Sequence, residues 1–401
     1  MKTTLLREDR RFAATSWVAI LLLAGLAFLP VLVGCEPSPA NAPVPVAEAP
    51  PVAKPTTMEK WAGIDVGSKG VKPIVMGFTK TPSGWDFSAD TTLESKNTDL
   101  GTLAENGKFD PKNLANTVAA IAELEKAMRE KHALPADRVH VVVSSGVFTR
   151  FQNKDAVEIA RKELATAIEK AIGRAPDFIN EQQEAEYAVR GIITPSARAD
   201  RLLIDIGSGN TKFGWYIGDK FQSFTLNSGT KGFRDAVAKH AAANNLSFAD
   251  ALAQKDTILT KPLKEHVSKA EGFAKLTRIQ IIGGAAWALA TFTHPGSGAE
   301  TNVDISAADV EKFASLAKLK PDEAREKALA VLTDPAMKAA GTKELTRVQK
   351  VFTPEELQAA AKIIQVIFVE AQLSEKRVSF YQKGQYAWIA GYLMDKAKLS
   401  E

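Results

Sequence analysis

The sequence predicts an α/β protein built from two similar lobes. Three observations carry this prediction. Two Asp-Gly turn motifs, each set between apolar strand-like runs, stand far apart in the chain. Strand-like runs come in threes around each motif. Helical apolar stripes fill the stretches between them.

The first motif is Ile64-Asp65-Val66-Gly67-Ser68-Lys69-Gly70, and the second is Ile204-Asp205-Ile206-Gly207-Ser208-Gly209-Asn210-Thr211-Lys212. Glycine lets such a turn adopt positive φ and lets the backbone approach a ligand. Successive N–H groups in the turn form a concavity suited to anions. An aspartate at the strand end stands where it could hold magnesium, which binds through one or two carboxylates, waters and substrate phosphates. Asp65 and Asp205 are therefore candidate metal ligands. Gly67, Ser68, Lys69, Gly207, Ser208, Gly209, Asn210, Thr211 and Lys212 are candidate phosphate contacts. One such turn is an ordinary hairpin; two suggest lobes closing on one phosphate-bearing ligand.

In chain order, Trp61 to Met76 reads as a strand pair and Trp85 to Thr91 as a third strand. Asp110-Pro111 reads as an N-cap with proline at N1. Leu114, Val118, Ile121 and Met128 then form one helical stripe. Val139 to Val143 is a short buried strand. Asp155 to Ile172 is a helix stopped by Gly173. Asp177 to Ile179 is a strand, and Glu181 to Arg190 a helix. Leu202 to Ile206, Lys212 to Ile217 and Phe221 to Leu226 form the second set of strands, followed by a helix over Gly232 to Ala242. Ile279 to Ile282 leads through Gly283-Gly284 into a helix. Residues 305–375 read as mostly helical, with starts at Ser306 and Thr353. Arg377 to Tyr381 is the last strand and Tyr386 to Lys396 the last helix.

The front of the chain sets an expectation of location. Lys2, Arg7, Arg10 and Arg11 precede an apolar run from Trp17 to Gly34, which ends in Leu32-Val33-Gly34-Cys35. This ending resembles a bacterial lipobox, with Cys35 as the lipid-attachment residue of a cleaved signal segment. The other reading is an uncleaved anchor, since about 18 apolar residues just span a bilayer. Both put the rest of the chain outside the cytoplasm, periplasmic or at the cell surface, tethered to a membrane. Cys35 is the only cysteine, so no internal disulfide can form. Residues 36–57 are rich in Pro and Ala and read as an extended linker. The expected organisation is a signal segment (1–35), a linker (36–57), lobe I (58–192, joined by a C-terminal helix over 385–401) and lobe II (193–384). The formal net charge is +4, and it falls to about +2 without residues 1–35. A near-neutral body does not suit a general nucleic-acid binder. No zinc-type Cys/His spacing, Walker loop or long internal repeat is present.

The ordered motifs resemble those of the exopolyphosphatase/guanosine pentaphosphate phosphatase (Ppx/GppA) family. The first turn resembles that family's Asp-Leu-Gly-Ser-Asn-Ser motif, and the second its Asp-Ile-Gly-Gly-Gly-Ser-Thr-Glu. Leu100-Gly101 with Glu105 to Phe109 resembles the following loop. Val141 to Asn153 and Ile179 to Ile192 resemble the Ala-Thr-Ser-Ala-Leu-Arg and Ile-Ser-Gly-x-Glu-Glu-Ala stretches. Ser228-Gly229-Thr230-Lys231-Gly232 and Gly283-Gly284-Ala285 stand where the family has later ligand loops. These add Gly229, Lys231, Gly283 and Gly284 to the candidate phosphate contacts. The resemblance implies a duplicated, two-lobed actin-like ATPase (ribonuclease H-like) fold with the ligand cleft between lobes and additional C-terminal helices. It implies attack by water on a terminal phosphoanhydride, such as that of polyphosphate, usually with magnesium.

The departures fall on the chemical positions. Gln183 stands at the position of the family's general base, and a neutral amide cannot take a proton from water. Loss of a general base typically costs about 10²–10⁴ in rate. Glu181 or Glu184 could substitute if the helix start shifts; otherwise Glu184 is a structural or supporting carboxylate. The closing Glu of the second motif is Lys212. The Asn of the first is Lys69. Phe148 stands in place of an Arg, with Arg150 nearby; Asp99 replaces another Arg, and Ala285 a Thr. Lysine acts on phosphate as a point charge. The pattern therefore suits holding an anion better than activating water. Three readings stay open: a membrane-tethered phosphoanhydride hydrolase with impaired turnover, a non-catalytic anion-binding protein, and a scaffold. A homodimer is left open as well.

Overall fold

Each predicted turn connects the first two strands of a six-stranded mixed sheet. The computed structural model describes residues 58–81 and 84–399. The signal segment, Cys35 and the Pro/Ala linker expected over residues 1–57 lie outside the described residues, as do the last two positions of the C-terminal segment. Among the described residues, no helix is long and apolar enough to cross a membrane.

In the first sheet, β1 (Glu59–Val66) and β2 (Gly70–Thr81) run antiparallel, and Asp65 faces Lys72 across the ladder. β3 (Gly84–Asp90) extends this sheet beyond β2, and β4 (Lys96–Asn97) pairs with the start of β2. The chain then crosses through α1 (Pro111–His132) to β5 (Val139–Val143), parallel to β1. It crosses again through α2 (Lys154–Ile172) to β6 (Asp177–Phe178), and α3 (Glu181–Ile192) follows. The sequence signals act here as expected. Asp110 Oδ1 accepts from the Asn113 N–H at 2.9 Å, with Pro111 at N1. Gly173 closes α2 in the left-handed region.

The second sheet repeats the opening. β7 (Arg201–Ile206) and β8 (Thr211–Ile217) are antiparallel with Asp205 facing Lys212, and β9 (Lys220–Leu226) pairs with β8. α4 (Thr230–Asn244), α5 (Phe248–Gln254) and α6 (Thr257–Lys269) lead to β10 (Arg278–Ile282), parallel to β7. α7 (Gly284–Thr293) and a short edge strand β11 (Asn302–Ile305) follow. Then come α8 (Ala307–Leu316), α9 (Pro321–Leu329), α10 (Pro335–Val351), α11 (Pro354–Glu370), β12 (Arg377–Tyr381) and α12 (Ala387–Lys396). The sheet order is β11-β12-β10-β7-β8-β9. The apolar pattern gives no assignment for α5, α6 or β11. α5 is short, and α6 carries Pro262 in its interior, where proline ordinarily breaks a helix. β11 buries only alternate residues on a sheet edge.

Each sheet packs its helices into its own core, and a third core draws on both. It joins Met76 and Phe78 of β2, Val142 of β5 and Val189 of α3 to Leu203 of β7, Ile282 of β10 and Tyr392 of α12. α3 and α12 cross there at glycines. An ideal Cβ on Gly391 would fall inside the Tyr187 carbonyl, and one on Gly191 would overlap the carbonyl of Ala387. Gly63 of β1 likewise leaves room for Ile389, whose Cδ1 would lie 2.9 Å from an added Cβ. α3 carries this crossing near one end and the functional cluster described next at the other.

Candidate functional site

The two turns share one geometry. The Gly67 N–H donates to the Gly70 carbonyl at 2.9 Å, and the Gly207 N–H to the Asn210 carbonyl at 3.0 Å. The N–H groups of Ser68, Lys69, Ser208, Gly209 and Asn210 make no hydrogen bond among the described residues. This leaves two short arrays of backbone donors of the kind that hold anions.

Neighbouring loops press against the second turn and require glycine. A Cβ on Gly229 would lie 2.5 Å from the Gly207 carbonyl and 2.6 Å from the Asn210 nitrogen. Gly283 has φ +91, and a Cβ there would lie 2.5 Å from the Ile206 carbonyl and 2.7 Å from Asp205 Oδ1. Gly284 opens α7 beside it, so the positive end of that helix lies next to Asp205. The first amides of α4 are used differently. Those of Thr230 and Lys231 donate to the Gly207 and Ser208 carbonyls at 3.0 and 2.9 Å. Thr230 and Lys231 thus anchor the turn through their backbone amides and Gly229 by close packing, while the Lys231 side chain is exposed.

The charged groups form one cluster. Lys212 Nζ donates to Glu184 Oε1 at 2.9 Å and lies 4.0 Å from Asp205 Oδ2. The Ser145 hydroxyl donates to the other Glu184 oxygen at 2.7 Å. The side chains of Lys212 and Glu184 are only 9% and 13% exposed, against 26% for Asp205. Across the first ladder, Lys72 Nζ lies 3.9 Å from Asp65 Oδ2 but is 65% exposed. Burial pushes the Asp65 carboxyl up to about 6, with Lys72 opposing the shift and the Glu184 charge adding to it. Burial also raises Asp205, opposed by Lys212 and assisted by Glu184. For Lys212, burial favours the neutral amine, but Glu184 and Asp205 outweigh it and hold the ammonium charged. Asp65 of one lobe, Asp205 and Lys212 of the other, and Glu184 at the start of α3 therefore share one electrostatic site.

The remaining predicted residues fall elsewhere. Gln183 is exposed and closes a capping box: its N–H donates to Asn180 Oδ1 at 2.8 Å, and its Oε1 accepts from the Asn180 N–H at 3.0 Å. Its side chain is engaged in the cap, whereas Glu184, one residue on, faces the lysine. Glu181 accepts from Asn210 Nδ2 at 3.4 Å. Thr211 is fully buried and its hydroxyl donates to the Ser228 carbonyl at 2.8 Å, so it ties down the loop before α4. Lys69 is exposed at the tip of the first turn. Phe148 is a core residue against Phe109, Phe151 and Phe178, and Arg150 is exposed. Ser145 and Lys72 are the members that motif reading misses. Lys72 was legible: each Asp is followed seven positions later by Lys, the same cross-strand pair in both lobes.

The cluster fits a cation on one side only. Asp65 Oδ1 is buried without a hydrogen-bond partner among the described residues, as a ligand to a cation would be. Each aspartate has an ammonium about 4 Å away, but that of Lys212 beside Asp205 is buried and that of Lys72 beside Asp65 is exposed. No group of three or more His, Cys, Asp or Glu side chains that could hold a metal occurs among the described residues. Of the two aspartates, Asp65 is therefore the one that would hold a cation.

No family model matches this sequence, and no curated protein matches it. Solved structures do. The Ppx/GppA family member of Aquifex aeolicus aligns with a TM-score of 0.58 and 17% identity, over 85% of this chain and 99% of that one. The type II variant of the Aquifex aeolicus Ppx/GppA phosphatase aligns at 0.54 and 18%, over 82% and 98%. An exopolyphosphatase-like protein aligns at 0.53 and 16%, over 85% and 99%. The chain is thus an α/β protein of the two-lobed actin-like class. Within that class its fold is the one seen in Ppx/GppA proteins.

Proposed function

We propose that this protein is a divergent Ppx/GppA-like protein that binds polyphosphate or a related phosphoanhydride between the two turns, with hydrolysis reduced or lost. The observation that carries the reading is the Lys212–Glu184 pair. Glu184 is the carboxylate at the start of α3 that faces the cluster, and both of its oxygens accept hydrogen bonds, from Lys212 and Ser145. Both carboxylate oxygens are thus already engaged by donors, which leaves neither bare to receive a proton from an attacking water. Gln183 cannot take a proton at all. The same ammonium adds positive charge beside the second turn, where phosphate oxygens would meet the unpaired amides. Phosphoryl transfer depends on positioning and charge stabilisation, and those parts remain while the proton acceptor is compromised.

The lipobox-like segment ending at Cys35 supports a tethered, extracytoplasmic protein, in which the Pro/Ala linker acts as a stalk. Nucleoside triphosphates are scarce outside the cytoplasm, so polyphosphate is the better candidate ligand. Asp65 would hold a magnesium ion, which would supply positive charge toward the ligand's phosphates.

The test is calorimetric titration of the full chain with polyphosphate, with and without magnesium. Asp65→Ala is expected to remove the magnesium dependence, and Lys212→Ala to weaken binding at least tenfold. Equal binding by the parent and both variants would overturn the site.

A further inference from the structure

A second cavity, of about 200 Å³, lies at the far end of α3 from Glu184. Its walls come from the β2–β3 hairpin, the C-terminal end of α3, the segment before β7 and the end of α12. Met394, Leu399, Trp85 and Ile192 make its apolar side. Among the described residues, the lining includes Lys80, Arg190 and Arg198 and no acidic residue.

These cations differ in what they are doing. Arg190 is fully engaged: it donates to the Tyr216 hydroxyl at 3.1 Å, to Asp395 at 3.2 Å and to Glu186 at 2.8 Å. Arg198 is half-buried, with its guanidinium 5.0 Å from the Tyr216 ring centroid. Only its Nε is bonded, to the Ile193 carbonyl at 3.3 Å. Its two terminal nitrogens have no partner, and no carboxylate pairs with it, among the described residues. Burial, with Arg190 adding repulsion and Tyr216 and Glu186 opposing, disfavours its charge. Lys80 stands exposed at the same wall, also without an ion-pair partner among the described residues. A half-buried guanidinium without a counter-ion is costly, because buried charges are normally paired. Among the described residues the Arg198 guanidinium borders open space instead of a carboxylate, and the other side of that space is apolar.

We propose that this cavity is a second binding site, which takes a small amphipathic anion. A ring-sized apolar body packs against Trp85, Met394 and Leu399, and one anionic head group pairs with Arg198 and Lys80. A cavity of about 150 Å³ is enough for a benzene ring, so the volume admits a ring with one head group. The site stands on its own geometry and does not depend on the phosphate reading.

The probe is benzoate, titrated calorimetrically into the full chain, beside benzyl alcohol (ring without charge) and acetate (charge without ring). Benzoate is expected to bind with Kd below about 1 mM, and each control at least tenfold more weakly. Arg198→Gln should weaken benzoate at least tenfold and Lys80→Gln several-fold, with thermal melting confirming that both variants fold. Met394→Trp should abolish binding by filling the cavity. No benzoate binding up to 10 mM would overturn the proposal. So would equal affinity in Arg198→Gln, Lys80→Gln and the parent, which would place benzoate elsewhere, the two turns included. Because Lys80 is exposed, its variant keeps the test decisive even if the other two fold poorly.

Discussion

Asp65 and Lys212 carry opposite costs, and pH separates them. The Asp65 carboxyl titrates near 6 in the folded chain against an ordinary 3.8. Between those values the folded state binds more protons than the unfolded one, so stability falls as pH rises through the window. Above about pH 6 the burial penalty stands in full, at most about 3 kcal/mol by the shift. Asp65→Asn is therefore expected to raise Tm at pH 8 and change it little at pH 4, while removing magnesium-dependent binding. Unchanged Tm at pH 8 would contradict the burial of this carboxyl group, whose Oδ1 has no hydrogen-bond partner among the described residues. Lys212→Gln should act the other way, leaving Glu184 and Asp205 without their cation. Breaking a buried pair from one side costs about 3–5 kcal/mol, and the loss here belongs near the lower end because Asp205 is partly open. Removing the ammonium raises Asp205 further, so the deficit should be larger at pH 8 than at pH 5. A deficit independent of pH would argue against the pairing. At this scale the sequence revealed most of the residue types but not their orientation. Gln183 and Glu184 are adjacent letters, and only the capping box decides that one is engaged in the cap while the other meets Lys212.

Among the elements, α3 is the one on which the account turns. Its start supplies Glu184, its C-terminal half crosses α12, and its end borders the second cavity. The crossing depends on Gly191 and Gly391, each of which reads in sequence only as a weak helix former. Replacing such a glycine by alanine gains about 1 kcal/mol in helix propensity. Gly391→Ala would drive a methyl into the Tyr187 carbonyl, and overpacking of this kind costs about 1–3 kcal/mol or more. The clash is expected to win, so Gly391→Ala should lower Tm despite the better helix former. Gly146→Ala, where an added Cβ meets nothing within 4 Å, should not. A stabilised Gly391→Ala would mean that the helices are not in contact there. Strands and helices with caps and clean periodicity were legible, from Val139–Val143 to Arg377–Tyr381. α5, α6 and β11 were not, because tertiary burial sustains a helix through Pro262 and an edge strand of four residues.

Over the whole molecule, duplication explains both the site and its asymmetry. The two lobes share the Asp–x–Gly turn, the turn hydrogen bond and the cross-strand lysine at the same register. They differ in how the lysine is placed: Lys72 is left in solvent, and Lys212 is drawn inward by Glu184. One lobe therefore keeps a buried carboxylate paired only with a solvent-exposed lysine, and the other holds its lysine inside the cluster. The fold was legible because motif order survives where identity does not. The Lys212–Glu184 pair was not legible, because it joins segments distant in sequence. The most direct measurement is phosphate release from polyphosphate by the full chain with magnesium, made on samples in which calorimetry shows the ligand bound. The account predicts binding with release at least about 10²-fold below the roughly 1 s⁻¹ at the low end of ordinary enzymes. Release at about 1 s⁻¹ or faster by the unmodified chain would contradict it and would mean that Glu184, or another group, activates water despite Lys212.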